Sequence, residues 1–357
     1  MSILSDVPTG KIIKNYLDEY GITQKNLAKR INMSEKHISK FLNGNTRLTE
    51  EMALKLEKVF PPIPASYWLN YEAKYREALA RKQDPLLNLS QKQLKDIAKR
   101  FHFKEVFKNL DWSLLKQANE MLKILQISDF ANFEKVYANL PVSFMEDGGD
   151  LASIVVWLKL CEDDIEIQNN EIINRYSVAK LKRNLHELKD ISNNPNSSLA
   201  FKNARSWLND KGINLVIEKA IPNCKVRGAI SCYRNNPSIF LSLRFKTQDN
   251  AWFALMHEIG HLLLHFDGKT PYIFYGEDET QNERNEEEAN KFARDFFIDP
   301  KSYNLFIKNN NFTQGNIVRF AVQEKVQPGL LVGFLQHDKI VPFSHFRNLK
   351  IKFESIS

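Results

Sequence analysis

Residues 247 to 266, TQDNAWFALMHEIGHLLLHF, constrain the fold more than any other stretch of the chain. The run is dense in core residues, offers Thr247 or Asp249 as a helix N-cap, and sets His257 and His261 four residues apart. On a helix that spacing places both imidazoles on one face, one turn apart, within reach of a single Zn²⁺ at about 2.0–2.1 Å. Glu258 lies beside them, placed to accept the proton of a water at the metal instead of ligating it. A catalytic zinc takes three protein ligands and leaves a fourth position for water, so another element must bring a third donor to this face.

The next helix, read from Asn282 to Phe297, carries three successive glutamates. Its buried stripe is expected at Ala289, Phe292, Ala293 and Phe296, and stepping back from Ala289 and Ala293 reaches Glu286. Glu287 points about 100° away, and it and Glu288 read as a solvated face. His265 extends the histidine series, but three histidines along a straight helix span about 12 Å, too far to share one ion. It is expected in the second layer around the metal or in the core. The developing oxyanion needs a partner besides zinc, and Tyr275, Arg284, His337 and His345 are the open candidates.

Upstream of this region the pattern is strand-like. Ile213 to Glu218, Val226 to Cys232 and Ser238 to Leu243 read as short strands, with Asn235-Asn236-Pro237 as a turn and Ser238 to Leu243 available to pair with an extended peptide. Everything before Lys211 reads as helix, so the fold class is mainly α with a small β-sheet. Asp84-Pro85 and the break at Pro141 to Gly149 divide the chain into residues 1–82, a helical spacer over 83–145, and residues 146–357 with a core at 200–345. In the spacer, Phe101, Phe103, Phe107, Trp112, Leu114 and Leu115 form a small core. Leu151 to Leu160 reads as an amphipathic helix.

From Gly10 to about Arg81, short apolar stripes alternate with caps and turns. Thr23 and Ser34 are N-caps, and Asn43-Gly44-Asn45 ends the third stripe. Two helices of about nine residues joined by a tight turn make a helix-turn-helix. The second would bury Ile38, Phe41 and Leu42 and present Ser34, Glu35, Lys36, His37, Ser39 and Lys40 to base edges. Gln24, Lys25, Asn45 and Arg47 lie at neighbouring ends and loops, where phosphate contacts are usual. Charge agrees with this placement: of the net +7, residues 1–60 carry +3 and residues 81–120 carry +4, while the remainder balances. Lys92, Lys95, Lys99, Arg100 and Lys104 supply a basic face that reads chiefly as solvated helix surface. No apolar run approaches the roughly 18 residues of a membrane span. MSILSDVPTG has no signal-peptide pattern, and three cysteines make no disulfide framework, so a cytoplasmic chain is expected.

The stretch from Thr9 to Arg81, with ITQKNLA, NGNTRLT and ASYWLNYEAKY, resembles XRE-type (Cro/CI-like) DNA-binding domains, in particular HigA-type antitoxins. HEIGHLLLH and EEEANKFARDFF resemble the ImmA/IrrE family of gluzincin-like metallopeptidases, in which the third ligand is the acid four residues before the Asn, here Glu286 before Asn290. Asn290 stands where thermolysin-like enzymes place Asp, a departure that bears on how a zinc-binding histidine is oriented. The resemblances imply a Zn²⁺-dependent peptidase joined to an operator-binding domain, dimeric on a two-fold site, cleaving a repressor or antitoxin or itself. They also allow a second class: a non-catalytic antitoxin and autorepressor whose C-terminal region senses metal or a cognate toxin.

Overall fold

The structure is a computed structural model and describes residues 7–138, 150–242, 244, 247–266 and 279–353. The backbone divides into two compact units, Met1–Gln93 and Leu94–Ser357. The fold class is α+β, as the periodicities imply, with one three-stranded sheet among the described residues. No described helix is long and apolar enough to cross a membrane.

The first unit contains α1 (Thr9–Glu19), α2 (Gln24–Arg30), α3 (Glu35–Leu42), α4 (Glu50–Val59) and α5 (Ala65–Lys82). Thr23 Oγ1 accepts from the Asn26 amide and Ser34 Oγ from that of His37, both at 3.2 Å, so each helix of the central pair starts on a side-chain cap. Gly44 follows α3 at φ +79°, a left-handed conformation that glycine adopts without a Cβ penalty. Ile13, Leu27, Ile38, Phe41, Met52, Leu56, Phe60 and Trp68 are buried together, which supplies the core that no two such short helices could make alone.

The second unit begins with short helices, α6 (Gln91–Arg100, which straddles the division), α7 (Phe103–Val106), α8 (Leu114–Ile124) and α9 (Phe133–Tyr137). Phe101, Phe103 and Phe107 are buried, whereas Trp112, Leu114 and Leu115 are half-buried. There follow α10 (Leu151–Asp163), α11 (Ile165–Gln168), α12 (Val178–Asn184), α13 (Glu187–Ser192) and α14 (Ser197–Asp210). Helix α10 departs from the amphipathic expectation: every residue from Ala152 to Leu158 is buried. A helix apolar all round belongs inside a larger body.

Strands β1 (Asn214–Glu218), β2 (Gly228–Tyr233) and β3 (Asn236–Ser242) form the sheet in the order β1-β3-β2, with β1 parallel and β2 antiparallel to β3. The turn falls at Arg234-Asn235, both at positive φ, one residue before the position expected from Asn-Asn-Pro. Pro237 is therefore inside β3, ahead of Ser238, the first residue that β1 pairs. Because β3 is central, both its edges are taken, and it cannot accept a peptide as the sequence pattern suggested. Leu215, Ile217, Ile230, Ile239 and Leu241 join the core that includes α14 and α15 (Gln248–Leu264). Side chains close the outer edge of β1: Asn169 Oδ1 accepts from Leu215 N, Gln168 Oε1 accepts from Ile217 N, and Arg205 Nε donates to Leu215 O. Helices α16 (Glu279–Phe297), α17 (Pro300–Lys308), α18 (Gln314–Gln323) and α19 (Pro328–His337) complete the unit. The stripe of α16 is Ala289, Ala293 and Phe297, with Phe292 and Phe296 half-buried at its margins.

Candidate functional site

Helix α15 starts at Thr247, whose hydroxyl accepts from Asn250 Nδ2 at 2.6 Å. Its N-terminus is held by the C-terminal segment: Gln248 N donates to Ile351 O at 2.8 Å, and Lys350 Nζ meets Asp249 Oδ2 at 2.8 Å. The helix then packs closely on α16. A β-carbon at Gly260 would stand 3.0 Å from Phe292 Cδ1 and 3.3 Å from Ala289 Cα, so the glycine of HEIGH and a facing alanine allow the two backbones to approach. That approach sets how far a carboxylate on α16 must reach.

At this crossing the side chains of His257, His261 and Glu286 converge. His257 Nε2 lies 2.8 Å from His261 Nε2, and Glu286 reaches each with one oxygen at 3.2 Å. Donors each about 2.0–2.1 Å from one tetrahedral ion stand roughly 3.3 Å from one another. The two nitrogens and the two carboxylate oxygens thus lie at separations near those a single zinc imposes, and two imidazoles with one carboxylate form a donor set it accepts. Among the described residues these three are the only group of metal-ligating side chains so gathered.

The surrounding hydrogen bonds select the tautomers. Asn290 Oδ1 sits 3.0 Å from His257 Nδ1, and an amide oxygen only accepts, so neutral His257 carries its proton on Nδ1 and can present the Nε2 lone pair to an ion. His261 Nδ1 lies 3.1 Å from His265 Nδ1, and His265 Nε2 lies 3.2 Å from Glu288 Oε2. A consistent chain runs from His261 Nδ1–H to His265, and from His265 Nε2–H to Glu288, so that in neutral His261 it is Nε2 that can present a lone pair to an ion. Glu288 is further held by Arg284 Nε at 3.0 Å, so it is not a purely solvated acid.

Burial and charge pull in opposite directions here. For Glu258, only 7% exposed, desolvation lifts the carboxyl to about 7, with His257 working against it and Glu286 with it. Desolvation takes His261 down to about 4 in spite of its bond to Glu286. At His257 desolvation also disfavours the cation, but the Glu286 hydrogen bond and the charges of Glu258 and Glu286 outweigh it and raise the group. Glu286 would be raised by its own desolvation, and is instead held far below the usual carboxylate range by its bonds to both histidines. A carboxyl lifted to about 7 beside three gathered side chains that could hold a metal is an arrangement suited to proton abstraction.

The remaining site candidates divide. Tyr275 lies outside the described residues. His337 is exposed, its Nδ1 3.4 Å from Asp338 Oδ1, and His345 is exposed, its Nδ1 3.3 Å from Ser344 Oγ, so these imidazoles meet their chain neighbours. Arg284 is engaged with Glu288. Two neighbours of the site have no signature in the sequence. One is Glu288, which looks like part of an acidic run until the helix phase of His265 is known. The other is Gly228, at the start of β2, whose α-carbon faces the Glu258 side chain.

In the first unit, Gln24, Lys25, Ser34, Glu35, Lys36, Lys40, Asn45 and Arg47 are exposed, and His37 and Ser39 are half-buried. Gln24 Nε2 donates to Glu35 O at 3.5 Å, and Ser34 Oγ is occupied as a cap acceptor. The solvent-facing surface of α3 therefore carries Glu35, Lys36 and Lys40, away from buried Ile38, Phe41 and Leu42.

Two domain classes are thus defined in one chain: a DNA-binding helix-turn-helix and a metallopeptidase-like domain. Residues 13–68 match the helix-turn-helix family, and residues 211–314 match the IrrE N-terminal-like domain, whose span contains β1 to β3, the histidine pair and Glu286. The chain is also similar to virulence-associated protein A of Dichelobacter nodosus, 36% identical over 66 residues, which is 18% of this chain and 63% of that protein. Virulence-associated protein A' of the same organism is 35% identical over 66 residues, 18% of this chain and 57% of that one. The chain spans about six-tenths of the length of these curated relatives.

Proposed function

We propose that this chain is a transcriptional regulator whose IrrE-like domain is a zinc-dependent peptidase, acting on a regulatory protein such as a repressor or antitoxin, this chain included. The observation that carries the reading is the convergence of two imidazole nitrogens and a carboxylate beside a buried glutamic acid raised to about 7. His257, His261 and Glu286 would hold a zinc ion, which when bound would supply Lewis acidity toward a scissile carbonyl and a water. Glu258 takes the proton of the attacking water and returns it to the leaving amine. Asn290 and the His265–Glu288 pair keep the two imidazoles turned toward the ion. Any peptide that extends the sheet pairs with β2, the strand at its margin beside Glu258, and not with β3. The first unit reads a half-site through Lys36, Lys40 and their neighbours, with Gln24, Lys25 and Asn45 at phosphates, so the regulator acts as a cytoplasmic homodimer on a two-fold operator.

A second reading is favoured by one feature. Glu258 is 7% exposed, His261 is 3% exposed, and Ala229, Ile230 and Ser231 of β2 are buried, so among the described residues little of the site faces solvent. In that reading the protein is an antitoxin-like autorepressor whose C-terminal unit senses metal or a toxin without turnover. Incubating zinc-loaded wild type and Glu258→Gln with the soluble proteins of the cell separates the two. The peptidase reading expects a protein band lost with wild type alone and restored by chelator. Equal cleavage by Glu258→Gln with zinc retained, or none by wild type, removes it.

A further inference from the structure

The sheet brings β2 against the helix of the histidine pair, and there Gly228 faces Glu258. Gly228, first in β2, pairs with Leu241 of the central strand and has an ordinary negative φ or extended backbone, outside the left-handed region. The backbone does not require glycine there. What the position lacks is room: a β-carbon would lie 2.7 Å from Glu258 Cδ and 2.8 Å from Cγ, with Oε1 nearer still. Real β-carbons essentially never approach a heavy atom below 3.0 Å. The three nearest atoms all belong to one side chain, Glu258, which is buried and so has little open space into which to swing away.

We propose that Gly228 is a positioning residue for the Glu258 carboxylate: the missing side chain is the space in which that carboxylate sits. This rests on the peptidase reading for its catalytic consequence, while the contact itself stands independently of it. The three ligand atoms come from α15 and α16 and leave Gly228 out, so filling the space moves the base without touching the metal donors. To regain ordinary van der Waals separation the carboxyl must retreat by about 1 Å. A displacement of that size at a reacting group costs on the order of 100-fold in rate. Glycine here is set by what faces it from thirty residues along the chain, and neither its turn chemistry nor strand propensity accounts for it.

The experiment is a double-mutant cycle on the full-length, zinc-loaded protein, joining Gly228→Ala with Glu258→Asp and, separately, with Glu258→Ala. Aspartate is shorter by one methylene and makes room for the added methyl. The expected result for Gly228→Ala alone is full zinc content, kcat lower by about 100-fold and KM within about threefold. With aspartate at 258, adding Gly228→Ala costs less than about threefold further, because the two changes share one space. Thermal melting gives the second arm: Gly228→Ala lowers Tm when Glu258 is present and leaves it unchanged, or raises it, when position 258 is alanine. Equal penalties in both backgrounds, or zinc lost together with activity, overturn the proposal. If wild type cleaves nothing, the peptidase reading fails alone, and the melting cycle still decides whether Gly228 houses the carboxylate. Should Gly228→Ala fail to fold, folding restored by Glu258→Ala supports the contact, and continued failure refutes it.

Discussion

Replacing Asn290 by alanine isolates one hydrogen bond, from His257 Nδ1–H to Asn290 Oδ1 at 3.0 Å, while leaving all three ligand side chains in place. Loss of the partner that orients a metal-ligating histidine typically costs 10- to 100-fold in metal affinity, or about 1.4–2.7 kcal/mol. With zinc well above both dissociation constants, the metal-linked stabilisation falls by the same amount. In a unit of this size 1 kcal/mol moves Tm by about 2–4 °C, so the zinc-loaded Tm falls by about 3–10 °C. The metal-free Tm falls by less than about 2 °C, because Asn290 is exposed and water replaces the lost acceptor. Calorimetric titration of zinc gives the affinity, and melting with and without chelator gives the two shifts. An unchanged zinc affinity, or equal losses of Tm in both forms, would refute the orienting role. The amide differs from a carboxylate in degree: its hydrogen bond already favours the imidazolium, and a carboxylate favours it more, so Asn290→Asp retains the orientation but lets protons compete with zinc from a higher pH.

Helix phase predicts that Glu286→Gln abolishes stoichiometric zinc while Glu287→Gln does not, since Glu287 is exposed and one step off the ligand face; elemental analysis of both proteins decides it. Glu218, at the end of β1, is lifted from 4.5 to about 7 by burial and by Asp164 close by. The folded chain then keeps a proton that the unfolded chain releases between these values, so stability from this group falls as pH rises through that window. Glu218→Gln removes the fall and is more stable than wild type at pH 8 by about 1–2 kcal/mol once partial exposure is counted, measured by urea unfolding across pH. A difference that is absent at pH 8, or larger at pH 4, contradicts the placement. Alanine at Lys36 and Lys40 together weakens operator binding and lowers the slope of log affinity against log salt by up to about 1.8, provided both reach phosphates. Unchanged affinity and slope would remove α3 from the DNA interface.

Legibility in the sequence followed the range of the physical signal. His257, His261 and Glu286 could be read because helical phase is local: four residues put two imidazoles on one face, and the alanine stripe at Ala289 and Ala293 turns Glu286 and not Glu287 inward. The caps at Thr23 and Ser34 were legible for the same reason, each decided within three residues. The order of the strands was not. Three short β-rich runs are compatible with several sheets, and only the parallel return of β1 onto β3 makes β3 central and sends β2 to the margin. In that central place β3 buries its serines as well as its apolar residues, Ser238 and Ser242 included.

The same limit explains the two contacts at the site that had no signature. Glu288 resembles its neighbours as an acid in a run, and acquires a role only because His265, at the end of α15, hands the orientation of His261 back to α16. Gly228 looks like a strand-initiating glycine, and its significance lies entirely in the side chain it faces. A residue whose function is to be absent leaves nothing for periodicity or charge to detect. Such positions become visible only when the distance a β-carbon would have to its neighbours is known, and at Gly228 those neighbours are all one catalytic candidate. The arrangement divides the labour between two glycines. Gly260 lets α16 come close enough for Glu286 to reach the histidines, so enlarging it should act on metal affinity. Gly228 lets Glu258 lie beside them, so enlarging it should act on the base and leave the metal.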